Sequence, residues 1–160
     1  MGRVFRALPI FGEDMYGTVA GVASLAKMWT DNGEFVDPDI YGDGATRPTY
    51  TEVETWLTQL SNTMDIVLAG YGFVVPVTNA TAISSIGQMI EAWTSDLVHN
   101  ANSSGRFWTE KAVERGVTPL LAIRKDMDTW VNDNGEGLEG VGVPKNPDIQ
   151  GKTLFIFDVI

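Results

Sequence analysis

The side chains best suited to catalysis are few in this sequence and poorly grouped. His99 is the only histidine among 160 residues, and its place one step off a predicted apolar stripe is typical of a packing or helix-end residue. One histidine cannot build a conventional multi-histidine metal site, and no Ser–His–acid order with a nucleophile elbow is present. The acid pairs Glu52/Glu54 and Asp126/Asp128 stand two residues apart, so in helices their carboxylates face different directions. The sequence therefore predicts a protein that is not an enzyme.

One segment of the sequence is similar to a calcium-binding loop but does not match its pattern. Residues 37–44, DPDIYGDG, are rich in acids and glycine. An EF-hand loop needs an oxygen ligand at its fifth position and a bidentate Glu at its twelfth, where this sequence has Tyr41 and Pro48. Walker and dinucleotide-binding glycine patterns are missing from the sequence. We therefore predict neither a metal nor a cofactor.

Composition and charge narrow the class of protein further. Hydrophobic residues make up 44% and charged residues 20% of the chain, as in a globular protein. The net charge of −10, from 11 basic and 21 acidic residues, argues against a domain that grips nucleic acid through its phosphates. The lack of cysteine excludes disulfides and thiolate metal sites. No apolar run approaches the roughly 18 residues of a membrane span, so we expect no membrane partner.

The first part of the chain is predicted to be an arm, a helix and a loop. Residues 1–16 form the arm, which is apolar and basic before it turns acidic. Apolar residues at steps of three and four predict a helix over 17–29. Residues 30–48 are dense in Gly, Asp, Asn and Pro, which predicts a long ordered loop or lid. The stripe of the first helix comprises Val19, Val22, Ala26 and Trp29.

The second helix carries the strongest signals. Thr49 followed by Glu52 makes a capping box, in which each side chain satisfies a backbone N–H at the helix start. Gly70 or Gly72 supplies the left-handed residue that ends the helix. The stripe between these signals comprises Val53, Leu57, Leu60, Met64, Val67 and Tyr71.

A third helix is predicted from Asn79 to Ala101, followed by a short helical piece over 107–116. Gly87 lies inside it at a cost of about 1 kcal/mol relative to Ala. This glycine either lets a neighbouring helix approach closely or is simply tolerated. The stripe comprises Ile83, Ile86, Ile90, Trp93, Leu97 and Ala101.

A last helix and an extended tail complete the prediction. Thr118 as N-cap and Pro119 in the first turn mark the helix start, and NDNG at 132–135 is expected to end it. From residue 136 onward, frequent Gly and Pro predict an extended linker. The last eight residues, TLFIFDVI, are β-branched and aromatic, which is typical of a strand. The stripe of the last helix comprises Leu120, Ile123, Met127, Trp130 and Val131.

The predicted fold is mainly all-α. It is a small bundle of four to five helices with a long loop and an extended C-terminal β-strand tail. We divide the chain into an N-terminal arm (1–16), a helical domain (17–143) and a linker with a terminal strand (144–160). Because catalytic groupings are scarce, function is sought in the surfaces of this bundle.

Two apolar stretches are candidates for partner contacts. In GYGFVVPVT, residues 70–78, a proline enforces extended backbone, and the side chains either cap the bundle or pair with another subunit. The candidate assembly or packing residues there are Phe73, Val74, Val75, Pro76 and Val77. The terminal strand either folds back, pairing with residues 73–77, or adds a strand to another chain's sheet. Its candidate partner-binding residues are Leu154, Phe155, Ile156, Phe157 and Val159.

The sequence also resembles a known family. The stretch TRPTYTEVETWLTQLSNTMDIVLAGYGFVVPVT, followed by a helix and DLVHNANSSGRFW, is similar to the head–tail adaptor proteins of long-tailed bacteriophages, also called head-completion or head-to-tail connector proteins. The likeness covers roughly residues 17–143. It consists of a helix that opens with Pro-Thr and an acid, an L-x-x-x-G-[FY] turn with a Val-Pro exit, and a second long helix.

The resemblance implies a structural role in the virion neck. Such proteins assemble beneath the portal as a homo-oligomeric ring, usually a dodecamer, while the host cytoplasm is the site of assembly. A C-terminal extension commonly docks on the portal, and the other end of the ring receives the stopper or tail-completion protein. Double-stranded DNA would pass the channel without specific binding, which suits the acidic balance of this chain. By this reading residues 152–160 join the portal, and the loop 30–48 contacts a neighbouring subunit or the next ring.

Other classes of function remain open at the level of sequence. The chain is alternatively another neck protein, such as a stopper or tail-completion protein, or a helical interaction module unrelated to phage. A third class is a hydrolase that uses the loop carboxylates Asp37, Asp39 and Asp43.

Overall fold

The computed structural model describes residues 15–102 and 119–147. These ranges hold four α-helices, α1 (Val19–Leu25), α2 (Tyr50–Gly70), α3 (Ala80–Asn102) and α4 (Pro119–Gly140), with a 3-10 turn at Lys27–Trp29. The strand-like pairings within them are two isolated bridges. The prediction of a mainly all-α bundle is therefore confirmed for the described ranges. Residues 1–14 of the predicted arm, the helix over 107–116 and the terminal strand lie outside them.

Helix α2 is the centre of the bundle. It packs against the other three helices, and α1 lies across both α2 and α3. The predicted capping box is confirmed, because the Thr49 hydroxyl accepts from the Glu52 N–H at 3.2 Å and the Glu52 carboxylate accepts from the Thr49 N–H at 2.8 Å. The predicted stripe of α2 is buried from Val53 to Val67. None of the helices just described is long and apolar enough to cross a lipid bilayer.

Tyr16 pins the start of the described chain to this bundle. Its ring is buried, and its phenol donates to Asp65 at 2.6 Å while accepting from the Val77 N–H at 2.8 Å. Its backbone N–H donates to the Ser61 hydroxyl at 3.0 Å. One residue therefore ties together the entry to α1, the middle of α2 and the segment that leads into α3.

The glycine inside α3 marks a close approach of two backbones. A Cβ at Gly87 would lie 3.0 Å from the nitrogen of Gly17 and 3.3 Å from its Cα. One prediction for Gly87 was that it lets a neighbouring helix approach closely. In the structure the segment that approaches it is the turn before α1. Gly17 has a φ of +85°, a backbone region that favours glycine. The two glycines together let this turn lie against α3.

Helix α1 is shorter than the predicted range of 17–29. Thr18 is its N-cap, and the threonine hydroxyl accepts from the Gly21 N–H at 2.9 Å. The Glu91 carboxylate, supplied by α3, accepts from the Thr18 N–H at 2.8 Å. The helix stops before Ala26 because that residue leaves the helical region, with φ −118° and ψ 35°. The chain then continues as the 3-10 turn.

Helix α3 turns a slightly different face to the core than predicted. Ile86, Ile90 and Trp93 are buried as expected, but Ala101 is exposed and the buried Val98 takes its place. The reason is Thr94, which the apolar pattern passed over. Its hydroxyl donates to the Ile90 carbonyl at 2.7 Å, so this polar side chain is satisfied inside the core. The buried line therefore runs through positions 90, 94 and 98.

Helix α4 is described from Pro119 and continues past the predicted stop at 132–135, while the predicted N-cap Thr118 lies outside the described residues. The predicted end was wrong because burial outweighs the helix-weakening glycines: Leu138 and Val143 are core residues. Residues 136–140 are thus helix and not linker. The predicted stripe also changes at its start, where Leu120 is 60% exposed.

The ends of α2 and α4 are built alike, in the segments LAGYGF and LEGVGV. In each, the residue after a left-handed glycine donates its N–H to the carbonyl of the leucine five residues earlier. This bond joins Phe73 to Leu68 at 3.1 Å and Val143 to Leu138 at 2.9 Å. Both are Schellman motifs, and the two residues that each bond joins are buried in the core.

The chain segments that leave these two helix ends pair with each other. The Val74 N–H donates to the Pro144 carbonyl at 2.9 Å, and the Asn146 N–H donates to the Gly72 carbonyl at 2.7 Å. Phe73 lies between them, buried, with the Lys145 ammonium 4.9 Å from its ring centroid. GYGFVVPVT therefore pairs within its own chain, with residues 144–146.

Candidate interaction site

The long loop between the 3-10 turn and α2 is closed at its base by hydrogen bonds. The Val36 N–H donates to the Thr46 hydroxyl at 2.8 Å, and the Thr46 N–H donates back to the Val36 carbonyl at 3.0 Å. The Asp37 carboxylate accepts from the Thr51 N–H at 2.8 Å and from its hydroxyl at 2.7 Å, at the start of α2. Phe35 is buried beneath. The loop is thus fastened to the bundle on both sides of its base.

Residues 39–43, which we call the loop tip, form a turn that projects two large side chains. The Asp39 carboxylate accepts from the N–H groups of Tyr41 and Asp43, at 2.8 and 2.9 Å. Backbone bonds between residues 39 and 43, at 2.9 Å, and from Gly42 to Asp39, at 3.0 Å, close the same turn. Ile40 is 91% and Tyr41 is 82% exposed. Apolar surface is therefore displayed on backbone that is held in one shape.

The carboxylates of Asp37 and Asp39 hold different parts of the loop in place. Asp37 faces the first turn of α2 and Asp39 faces its own turn. Within residues 15–102 and 119–147, no three His, Asp or Glu side chains are grouped as metal ligands. The hydrogen bonds from the Thr51 backbone and hydroxyl lower the pKa of Asp37 below its ordinary value. Asp37 and Asp39 thus act as hydrogen-bond acceptors within the loop.

We expect Asp37→Asn to lower the melting temperature near neutral pH. The carboxylate has a folded pKa below its unfolded value of 3.8, so its stabilising contribution is present above that value and disappears as pH falls through the folded pKa. The difference between wild type and variant should therefore shrink as the pH is lowered below 3.8. Thermal unfolding followed by circular dichroism, near neutral pH and over this acidic range, measures this. Asp43→Asn is the control, since the Asp43 carboxylate accepts no hydrogen bond among the described residues. A pH-independent difference for Asp37→Asn would contradict the assignment.

A second surface feature is a groove between α2 and α4, which we call the α2–α4 groove. It has a volume of about 510 Å³. Ile66, on its α2 wall, is 63% exposed, and Leu121, on its α4 wall, is 45% exposed. A Cβ placed at Gly70 would meet nothing within 4 Å, so one end of the groove is open because a side chain is missing there. The groove therefore offers apolar surface with room for an inserted group.

Charged side chains border this apolar surface. Arg124 and Lys125 line the groove from α4, together with Asp128. The Tyr71 phenol donates to the Asp128 carboxylate at 3.2 Å. Burial, and then the negative charge of Asp128, raise the pKa of this phenol above its usual range. Two adjacent cations thus stand beside apolar walls in a protein of net charge −10.

The lone histidine serves in packing. The Trp29 indole N–H donates to His99 Nδ1 at 2.9 Å, and the two rings meet edge to face with centroids 6.3 Å apart. His99 thereby fastens the 3-10 turn to α3. A nitrogen that accepts this bond is unprotonated, so the neutral ring carries its proton on Nε2.

The candidate residues of GYGFVVPVT divide between core and surface. Phe73 and Val77 are buried, Val75 is half-buried, and Pro76 and Val74 are exposed. The first two are therefore unavailable to a partner. The candidate portal-binding residues Leu154, Phe155, Ile156, Phe157 and Val159 lie outside the described residues.

Comparisons with protein-family models, with curated protein sequences and with solved structures find no match to this chain.

Sequence reasoning missed the two surfaces that the structure brings forward. The loop was expected to contact a neighbouring subunit or the next ring, but its tip was not identified. The sequence signal for the tip was the pair of large apolar residues, Ile40 and Tyr41, within an otherwise acidic and glycine-rich run. For the α2–α4 groove, the signal was Ile66, an apolar residue off the stripe of its helix. Leu121, an apolar residue off the predicted stripe of the last helix, was a similar signal.

Proposed function

We propose that this chain is a structural virion protein, a ring-forming adaptor that joins the portal to the stopper or tail in the neck of a long-tailed bacteriophage. The observation that carries the proposal is the loop tip, which presents Ile40 and Tyr41 to solvent on backbone fixed by Asp39. A fixed apolar projection is suited to assembly, because little conformational entropy is lost when a partner covers it.

The helical body and the charge balance support the same role. A bundle whose loops are pinned to its helices, as Asp37 pins the long loop to α2, can stack in a ring without refolding. The net charge of −10 suits a wall past which DNA must slide. The resemblance of residues 17–143 to head–tail adaptors supplies the particular setting, the neck between portal and tail.

The apolar tail is assigned to the portal in this proposal. Leu154 to Val159 hold five large apolar side chains in six residues, and burial of each stabilises a complex by about 1.5–3 kcal/mol before ordering costs. Addition of such a strand to a sheet of the portal would satisfy its main-chain hydrogen bonds as well.

Deletion of residues 152–160 should abolish portal binding and leave the fold intact. The four described helices all end by Gly140, so the far-ultraviolet circular dichroism should keep its helical shape. Copurification with the portal protein of the same genome measures binding. As point variants, Phe157→Asp should weaken binding at least tenfold, whereas Asp158→Asn is the matched control. A truncated chain that binds the portal as well as the full chain does would show that the tail assignment is wrong.

Electron microscopy of assembled particles tests the wider proposal. The expected result is a ring of this chain directly beneath the portal. Its density at the stopper or tail-completion level instead would place the chain elsewhere in the neck, and its absence from the virion would favour a helical interaction module of another kind.

A further inference from the structure

We propose that the loop tip of one copy inserts into the α2–α4 groove of a second copy of this chain. This deepens the proposed function, because it rests on the ring-forming role and names the contact that builds the ring. Neither surface is covered by another element within the described ranges, since Ile40 and Tyr41 project into solvent and the groove walls remain exposed.

Charge is the first argument for this pairing. The tip and its approach carry Asp37, Asp39 and Asp43 around the two apolar side chains. The groove carries Arg124, Lys125 and Asp128 around its apolar walls, and the Asp128 carboxylate already accepts from the Tyr71 phenol. In a chain of net charge −10, a groove with two cations and one carboxylate is a surface on which the acidic tip of a second copy can dock with complementary charge.

Shape is the second argument. The tip is a narrow turn, closed between residues 39 and 43, with an isoleucine and a tyrosine at its end. The α2–α4 groove is open at Gly70, where no Cβ occupies the space, and its volume of about 510 Å³ lies in the range that accepts an inserted group. In the proposed contact, an apolar projection flanked by acids enters an apolar recess where two cations outnumber one carboxylate.

In the structure the loop tip does not occupy the groove of its own chain, since Ile40 and Tyr41 are exposed. Asp37 is bonded to Thr51 at the first turn of α2, whereas Ile66 lies fifteen residues further along the same helix. At 1.5 Å per residue this is about 22 Å. Tyr41 follows Asp37 by four residues, a backbone reach of at most about 14 Å. The base of the loop is therefore fixed near the start of α2, while the groove lies near the end of that helix.

A contact between two different surfaces is heterologous, so it repeats from copy to copy. Such a contact closes into a ring when the rotation between copies divides a full turn, and otherwise grows into a filament. The tip and the groove lie near opposite ends of α2, which places each copy's donor and acceptor surfaces apart, as head-to-tail assembly requires.

The test is a mixing experiment by native mass spectrometry. Ile40→Asp removes the tip and Leu121→Asp removes the groove, and each alone should weaken self-association at least tenfold relative to wild type. In a mixture, the intact tip of the Leu121→Asp variant can bind the intact groove of the Ile40→Asp variant. Because no second intact pair remains, the mixture should form a one-to-one dimer and nothing larger. Gly70→Leu, which fills the groove without adding charge, should behave like Leu121→Asp. Circular dichroism should show unchanged helix in each variant, since the replaced positions are exposed.

A charge exchange provides the specific control. Lys125→Asp should weaken self-association, and Asp43→Lys should do the same. A mixture of these two variants should recover full assembly with equal numbers of the two chains, because each tip then meets a groove of opposite charge. The inference is overturned if wild type stays monomeric up to its solubility limit, if any single variant assembles like wild type, or if neither mixture recovers association. If the chain is found in the virion neck but the variants still form normal rings, the tip–groove contact is wrong and the neck proposal stands. If self-association depends on the tip but the chain is missing from virions, the neck proposal is wrong and the contact stands.

Discussion

Phe73→Ala should lower the free energy of unfolding by about 3–5 kcal/mol, the usual cost of emptying an aromatic site in a core. The ring is 3% exposed and reaches α4, since a Cβ at Gly135 would lie 4.0 Å from its Cζ atom. It also lies under the Lys145 ammonium and beside the bond that ends α2. The substitution therefore removes core volume and the support of two helix ends together.

Urea unfolding followed by circular dichroism measures this loss. Val74→Ala is the matched control, because its side chain is 45% exposed and only its backbone joins the Pro144 carbonyl. We expect that control to stay within about 0.5 kcal/mol of wild type. If the two variants unfold at the same urea concentration, Phe73 is not the anchor described here.

Gly87→Val should destabilise the protein by about 3 kcal/mol, near the upper end of ordinary overpacking costs. Even the first added carbon would lie 3.0 Å from the Gly17 nitrogen, and that neighbour is backbone, which cannot swing aside as a side chain can. Separation of the two segments would also pull Tyr16 from its hydrogen bonds to Asp65 and Val77.

The control for this prediction is another helical glycine. A Cβ at Gly137, inside α4, would meet nothing within 4 Å, so Gly137→Ala should stabilise the protein by about 0.5–1 kcal/mol through helix propensity alone. Thermal or urea unfolding of both variants decides the matter. A Gly87→Val protein as stable as wild type would mean that the two backbones do not touch in solution.

Features written in local sequence could be predicted, and those that depend on distant residues could not. The start of α2 follows from Thr49 and Glu52, which act on each other within one turn. The end of α4 does not, because its glycines argue for a stop while the burial of Leu138 and Val143 prolongs the helix. The segment LEGVGV contains the same leucine and glycine spacing as LAGYGF, and that likeness was the local signal for the true end.

The candidate site shows the same division. Composition predicted the long loop 30–48 to be ordered, and the family resemblance implied a contact role for it. The exposure of Ile40 and Tyr41 depends on how Asp39 folds the turn. The α2–α4 groove joins Ile66 to Leu121, residues on helices that only the folded bundle brings together. No spacing rule within a single helix reveals such a pair.

The cap on α1 has a consequence for the order of folding. An isolated helix of fewer than about 12–15 residues is marginal in water, and α1 has seven. The backbone N–H of its N-cap, Thr18, donates to the Glu91 carboxylate, 73 positions away along the chain. The turn before the helix packs against Gly87. This short helix therefore gains its stability only once α3 is in place. Residues near Thr18 are expected to join the folded structure after the transition state and to be among the first to open in hydrogen exchange.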